Sequence, residues 1–281
     1  MIKNKPNFLG IGSVRGGSTW LHALIKSHPD FYFPNKRKEI QFFTRYYNKG
    51  ESWYRNHFKF SEFAPKFQGE FTPGYLTCLK APKRIKALQT VEKFVLILRN
   101  PISRTYSQYK WHLRVTGQKI DFMTFCRLSP KLAIENGMYF KYLSKYLKYF
   151  KEDSFLILIF EEATSNPEKT LQELGSFFGV DENLFVVPEI KNKGDIPKHR
   201  KLFVLAHKIA QFLRKIDLDY IPNFLIDNGL KNLFGNEPKN SIPKLAISEK
   251  KHLYSIYKND INKLEKFLKR DLDIWVSEFK N

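Results

Sequence analysis

The sequence predicts an α/β fold in which a central parallel sheet is flanked by helices. Apolar runs at residues 93–99 (KFVLILR) and 155–160 (FLILIF) are typical of strands that are buried on both faces. A helical pattern separates them, and a third apolar run at 7–12 (NFLGIG) precedes another helical pattern. Strands that alternate with helices form parallel sheets, because each return to the same edge needs a crossover helix.

The helices are predicted from apolar residues that recur at helical spacing. Leu21, Leu24 and Ile25 share one face of the first helix. Further helical patterns occur downstream, at 102–113, 139–150, 170–180, 203–217 and about 246–270. We predict one domain over 1–281, with the helical C-terminal region 203–281 as part of it.

The charge of the chain indicates an anionic ligand or surface. The chain has 281 residues, a net charge of +20 and a pI near 9.7. Such an excess suits nucleic acid, acidic lipid, polyanionic glycans or a polyphosphorylated cofactor, and charge alone does not choose among them. Cys78 and Cys126 lie far apart, which excludes a disulfide framework and a cysteine zinc site. The sequence has no apolar run of membrane-spanning length and no signal-peptide pattern, so we expect a cytoplasmic protein.

The stretch GIGSVRGGSTWL, between the first predicted strand and helix, has the context of a phosphate-binding loop. Gly16 and Gly17 let backbone amides approach an anion, and the helix N-terminus adds its dipole. Ser18 and Thr19 add hydroxyl groups, and Arg15 adds a guanidinium. Ser18 stands where nucleotide hydrolases have a lysine, which disfavours NTP hydrolysis. We expect a three-layer sandwich like that of the P-loop NTPases; the alternative for this loop is a tight turn without a ligand.

A second candidate anion site lies in LRNPISRTYSQY. Arg99 ends a buried strand, and the carboxyl ends of parallel strands border the ligand crevice. Ser107 lies on the next predicted helix and can join Arg99 in holding an anion; the alternative is helix capping and a structural arginine. Two anion sites at neighbouring strand ends suggest one ligand with two separated phosphate groups, such as a nucleoside bisphosphate.

One carboxylate lies in a basic and aromatic segment, NKRKEIQFFTRYYNKGESWYRNHF. The basic residues 36–38 precede Glu39 directly and favour its ionised form. In a cleft, Glu39 can accept a proton from a hydroxyl or amine; the alternative is a surface ion pair. Glu70 and Thr72 in GEFTPGYL are interpreted as part of a turn at Pro73-Gly74. The seven histidines lack metal-binding spacing, so we predict no metal site.

Together these motifs resemble the sulfotransferases that use 3′-phosphoadenosine-5′-phosphosulfate (PAPS). IGSVRGGSTWLHALIKSHPD is similar to the family's 5′-phosphosulfate loop, and LILRNPISRTYSQY to its 3′-phosphate motif. KEIQFF followed by YYNKGESWYRNHF resembles the heparan-type glycan sulfotransferases and their bacterial relatives, and GEFTPGYL matches a further family block. NGMYFKYLSKYLKYF and DINKLEKFLKRDLDIW look like the bacterial members, so the resemblance covers nearly the whole chain.

The resemblance implies a role for each matching residue. Glu39 would be the base that deprotonates the acceptor, and Arg15 would stabilise the leaving phosphate. PAPS would be the sulfuryl donor and 3′-phosphoadenosine-5′-phosphate (PAP) the product, with no metal. The nucleotide would be held by Arg15, Gly16, Gly17, Ser18, Thr19 and Trp20 at its 5′ end, by Arg99 and Ser107 at its 3′-phosphate, and by Tyr142, Lys198, Arg200 and Lys201 closing over it.

Two departures from the family pattern bear on the chemistry. Arg15 stands where many members have lysine, and Phe71 stands where many glycan enzymes have a lysine that Lys36 or Lys38 could replace. The KEIQFF block favours a carbohydrate or glycolipid acceptor. We expect no nucleic-acid partner, and the sequence leaves peripheral membrane contact open. Two other functions stay open: a P-loop kinase-like phosphotransferase and a non-catalytic polyanion-binding protein.

Overall fold

A five-stranded parallel sheet forms the centre of the computed structural model, which describes residues 5–35, 37–58, 65–189, 199–215, 218 and 242–279. The strands are β1 (Phe8–Gly12), β2 (Phe31–Tyr32), β3 (Phe67–Phe71), β4 (Lys93–Leu98) and β5 (Phe155–Ile159). Their order across the sheet is β2-β3-β1-β4-β5, and every neighbouring pair is parallel. The predicted parallel sheet is therefore confirmed, and the carboxyl ends of its strands share one edge.

Helices connect and cover the strands. In the first half of the chain they are α1 (Ser18–Lys26), α2 (Gly50–Arg55), α3 (Ala81–Leu88), α4 (Pro101–Thr116), α5 (Phe122–Leu128) and α6 (Pro130–Ala133). In the second half they are α7 (Tyr139–Tyr146), α8 (Phe160–Ser165), α9 (Pro167–Phe178), α10 (Arg200–Lys215), α11 (Ile247–Leu268) and α12 (Asp273–Val276). The sequence patterns did not predict α2, α3, α5, α6, α8 and α12, because short helices give only one or two turns of apolar periodicity.

The two faces of the sheet each pack against a separate apolar cluster. Alternate residues of β4 point to opposite faces, so Val95 and Ile97 join one cluster while Leu96 and Leu98 join the other. The first cluster includes buried residues of α1 and α9, and the second includes those of α4, α7 and α11. Helices therefore cover both faces, which confirms the predicted three-layer arrangement.

The C-terminal helices pack on the layer that contains α4 and α7. Asp260 of α11 accepts hydrogen bonds from the amides of Phe140 and Lys141 at the start of α7. The side chain of Asn100, just before α4, donates to the carbonyl of Trp275 in α12. These contacts bring the end of the chain to the strand-end edge, although the prediction of one domain over 1–281 stays a prediction. Within the described ranges, none of the helices has the length and apolar character needed to cross a bilayer.

Candidate active site

The loop after β1 is fixed to the end of β4 by Ser13. Both the backbone amide and the hydroxyl of Ser13 donate to the carbonyl of Ile97, each at 2.9 Å. A Cβ on Gly16 would lie 1.9 Å from the Ser13 hydroxyl and 2.8 Å from the Ile97 carbonyl, so only glycine fits there. The loop therefore presents bare backbone at the carboxyl edge of the sheet.

Helix α1 begins at Gly17 with the features of an anion site. Gly17 has φ of 106°, and a Cβ there would lie 2.3 Å from the ring of Phe160. Its carbonyl accepts from the amides of Trp20 and Leu21, and the first turn contains no acidic residue. Amides at the start of a helix point out along its axis, so those preceding Trp20 are suited to bind an anion.

Arg15 joins the two anion sites that the sequence predicted. Its Nε donates to Ser107 Oγ in α4 at 3.3 Å. Burial, and then the nearby guanidinium groups of Arg114, Arg99 and Arg104, lower the pKa of Arg15 to about 10. Arg15 is still a cation at neutral pH. A bound anion would offset the repulsion between Arg15 and these three guanidinium groups.

Arg99 stands at the end of β4 beside the same loop. Its guanidinium lies 5.2 Å from the ring centre of Phe160, the ring that also packs against Gly17. Among the described residues, its buried Nε has no hydrogen-bond partner. The hydroxyl of Tyr139 donates to the Arg99 carbonyl at 2.7 Å and fixes the strand end. Arg99 therefore offers an unused donor next to Arg15.

Lys38 brings the Glu39 segment to the phosphate loop. Its Nζ donates to Thr19 Oγ1 at 3.0 Å, at the first turn of α1. Burial lowers the pKa of Lys38, and the nearby carboxylate of Glu39 acts in the opposite direction. Glu39 itself is half-buried. The structure thus places the Lys38 cation at the start of α1 and the Glu39 carboxylate near Lys38, while Lys36 lies outside the described residues.

Glu70 is a residue of the site that the sequence interpretation missed. It is fully buried in β3, and its carboxylate accepts from the Ile40 amide at 3.1 Å, directly after Glu39. The hydroxyl of Thr72 donates to Glu70 at 2.5 Å and also accepts from the Gln41 amide at 3.2 Å. The two residues therefore hold the backbone of the Glu39 segment against the sheet, whereas the sequence interpretation assigned them only to a turn.

The other predicted site residues that the structure describes either hydrogen-bond through their side chains to groups outside the glycine loop or lie on α10. Trp20 is buried, and its indole donates to the Pro188 carbonyl at 3.1 Å, so both of its N–H groups have protein acceptors. Tyr142 is buried in α7 and donates to Glu135 at 2.7 Å. Arg200 begins α10, Lys201 is exposed on it, and Lys198 lies outside the described residues. Their roles at the nucleotide stay predictions.

Nothing in the described part of the chain gathers three or more His, Cys, Asp or Glu side chains into a metal site. Instead, the site combines a helix N-terminus, guanidinium groups and hydroxyls at one strand-end edge. That donor set suits phosphate and sulfate oxygens. A carboxylate at its margin adds a group that can accept a proton.

The sequence matches the sulfotransferase domain family over residues 5–214, and the chain belongs to that family. Heparan sulfate glucosamine 3-O-sulfotransferase 3B1 of Mus musculus is 30% identical over 186 residues, which cover 63% of this chain and 47% of the relative. Bifunctional heparan sulfate N-deacetylase/N-sulfotransferase 2 of Homo sapiens is 29% identical over 195 residues, covering 62% of this chain and 22% of that protein. The chain thus spans about half or less of the length of these relatives.

A solved structure supports the same fold. The sulfotransferase from Alicyclobacillus acidocaldarius superposes with a TM-score of 0.69 at 19% sequence identity, covering 96% of this chain and 98% of the other. The similarity extends beyond the family match into the C-terminal helices. It confirms the predicted fold class.

Proposed function

We propose that this protein transfers the sulfuryl group of PAPS to a hydroxyl or amine of a carbohydrate or glycolipid. The hydrogen bond from Arg15 to Ser107 carries the proposal, because it brings two anion sites into one basic pocket. One site is a glycine loop at a helix N-terminus, and the other is a strand-end arginine. A nucleotide with phosphate groups at both its 5′ and 3′ positions matches that pair.

The residues present fit such a nucleotide. A Cβ on Gly16 or Gly17 would meet Ser13 or Phe160, so the glycines let the loop fold tightly at the start of α1, where the first amides of the helix are suited to a phosphate. The guanidinium of Arg99, whose buried Nε has no partner among the described residues, would hold the second phosphate. PAPS supplies a sulfuryl group that is activated by its bond to the 5′-phosphate. Arg15 and the helix donors would stabilise the charge on the leaving phosphate, and losing one such donor typically costs about 3–4 kcal/mol.

Glu39 is proposed as the base that takes the proton from the acceptor. It is half-buried beside Lys38, whose ammonium contacts the first turn of α1. Glu70 and Thr72 hold the next two backbone amides, which restrains Glu39 at the margin of the pocket. A restrained carboxylate there supports in-line attack by an acceptor that it deprotonates.

A kinase-like phosphotransferase is less well supported. That chemistry needs a lysine at position 18, where the chain has Ser18, and a carboxylate ligand for Mg²⁺ after a strand. Asn100 is the second residue after β4. Its side chain accepts from the amides of Ile102 and Ser103 and donates to the Trp275 carbonyl. Asn100 is therefore committed to capping α4.

The acceptor is proposed from the basic site and the relatives. The relatives are named for heparan sulfate, a sulfated glycan, and the Glu39 segment lies in a strongly basic chain. We therefore propose a carbohydrate or glycolipid acceptor, with the cytoplasmic location expected from the sequence as part of the proposal.

Two measurements test the proposal. Thermal shift should show stabilisation by PAP that exceeds that by ATP with Mg²⁺; the reverse order would favour the phosphotransferase. A transfer assay with labelled PAPS should show transfer to members of a panel of glycans and glycolipids. Absence of both PAP stabilisation and transfer would leave polyanion binding as the better account.

The role of Glu39 needs a matched pair of variants. Glu39→Gln should abolish transfer and retain the PAP-dependent thermal shift. Glu51→Gln is the control, because Glu51 is an exposed carboxylate of the same segment that pairs with Lys5 and Arg55. Full transfer by the Glu39 variant would remove it from the catalytic role.

A further inference from the structure

We propose that helix α10 docks this protein on an anionic lipid bilayer. Its sequence, RKLFVLAHKIAQFLRK, has five lysine or arginine residues and no aspartate or glutamate. Basic amphipathic helices with an exposed apolar face lie flat in the headgroup region of membranes, where both features find partners.

The apolar face of α10 is exposed. Four large side chains are each more than half accessible: Leu202 (53%), Leu205 (55%), Ile209 (51%) and Phe212 (60%). Their spacing of three, four and three residues places them along one side of the helix. A continuous stripe of this kind, called here the α10 stripe, marks an interaction surface because monomeric proteins rarely expose one.

The opposite side of α10 is attached to the body of the protein. The guanidinium of Arg114 lies over the ring of Phe203, 4.7 Å from the centre of that ring. The ring centres of His207 and Trp111 are 6.2 Å apart. Both partners belong to α4. Because these contacts hold the helix from one side, the α10 stripe faces away from the part of the protein that the structure describes.

The charges next to the α10 stripe favour a membrane over a second copy of this chain. Lys201 and Lys208 are exposed, and each lies one turn before a stripe residue, Leu205 and Phe212. Lysines in that position can bury their stems while their ammonium groups reach acidic headgroups. A second copy would instead bring the same cationic flank against itself, which like-charge repulsion disfavours.

The docking surface lies close to the proposed active site. Arg114, which contacts Phe203 of α10, is also one of the cations that act on Arg15. A bilayer on the α10 stripe would therefore lie one helix away from the basic pocket. This consequence rests on the proposed function: the acceptor presented there would be a sugar on a lipid rather than a free glycan.

Vesicle co-sedimentation of the full chain tests the docking. The chain should bind vesicles of phosphatidylcholine with phosphatidylserine more tightly than phosphatidylcholine alone, and added salt should weaken the binding. A variant with Leu205→Asp and Phe212→Asp should lose at least about tenfold in affinity. A variant with Lys208→Gln should lose about fivefold in affinity on the anionic vesicles only. Leu128→Asp, at another exposed leucine on α5, is the control and should bind normally.

Two outcomes would overturn the docking. One is equal vesicle binding by the wild type and the stripe variant. The other is that the wild type does not bind vesicles and forms a dimer in sedimentation equilibrium, whereas the stripe variant is a monomer. That result would assign the α10 stripe to self-association. The PAP thermal shift, recorded on the same samples, checks that each variant folds. A normal shift without vesicle binding refutes the docking alone, whereas a missing shift in the wild type refutes the proposed function.

Discussion

Replacing Glu70 by glutamine should change how the stability of the protein depends on pH. Glu70 is fully buried, and burial raises the pKa of its carboxyl to about 7, from an ordinary value of 4.5. The hydroxyls of Thr72, Tyr75 and Tyr54 and the amide of Ile40 donate to it, which favours the charged form, but burial has the larger effect. The folded protein therefore holds this proton more tightly than the unfolded chain does.

The sign and size of the effect follow from that difference in pKa. Stability contributed by the protonated carboxyl is fully present below pH 4.5 and is lost as the pH rises to about 7. A pKa difference of about 2.5, at about 1.4 kcal/mol for each pKa unit, amounts to about 3 kcal/mol. Glutamine resembles the protonated carboxyl and does not titrate, so Glu70→Gln should remove this loss.

Urea unfolding at several pH values between 4.5 and 8 measures the effect. The free energy of unfolding of the wild type should fall by about 3 kcal/mol relative to Glu70→Gln across that range. Comparing the two proteins cancels the titration of all other groups. Glu92→Gln, at an exposed carboxylate, should follow the wild type. Parallel pH profiles for wild type and Glu70→Gln would show that the buried carboxyl does not titrate as argued.

Four further predictions concern residues and metal dependence of the proposed active site. Gly17→Ala should lower stability by about 1–3 kcal/mol and reduce the PAP thermal shift, because φ is +106° and the new Cβ would meet Phe160; an unchanged melting temperature would contradict this. Arg99→Ala should weaken PAP binding by about tenfold or more in calorimetry, since a charge-assisted hydrogen bond is lost. Lys38→Met should lower kcat by about a hundredfold while Lys83→Met, at an exposed lysine, does not. Transfer should be insensitive to EDTA, and a loss reversed by Mg²⁺ would point to a metal-dependent step.

Local patterns predicted the parts of the fold that depend on neighbours in sequence. The strands at 8–12, 93–98 and 155–159 each coincide with an apolar run, with Lys93 as the one charged residue at a strand start, and a parallel sheet buries such strands on both faces. The glycine loop was recognisable because Gly16 and Gly17 follow a strand and precede a helix. In the same way, Arg99 was placed correctly because the end of a strand is also the edge of the sheet.

The rest depends on contacts between residues distant in the chain. Glu70 lies thirty residues after Ile40, and only the pairing of β3 beside β1 brings its carboxylate under the Glu39 segment. A single carboxylate in a short strand has no periodic signal that distinguishes such a role from a turn. Trp20 is similar, since its indole donates to the carbonyl of Pro188, far along the chain. Hydrogen bonds of this kind are set by topology, which composition and spacing do not encode.

The departure from the family pattern at Phe71 has a physical explanation. Phe71 is fully buried, and its ring fills the space that a Cβ on Gly10 would need, so this position belongs to the core beneath the sheet edge. A lysine there would have to bury its charge, at a cost that only a close anion could offset. Lys38 supplies a cation by another route, through its contact with Thr19 at the first turn of α1. Arg15 likewise supplies, from inside the loop, the charge that a P-loop carries at the position of Ser18. What the proposed chemistry requires is positive charge at the helix N-terminus, and in this chain residues on either side of that terminus provide it.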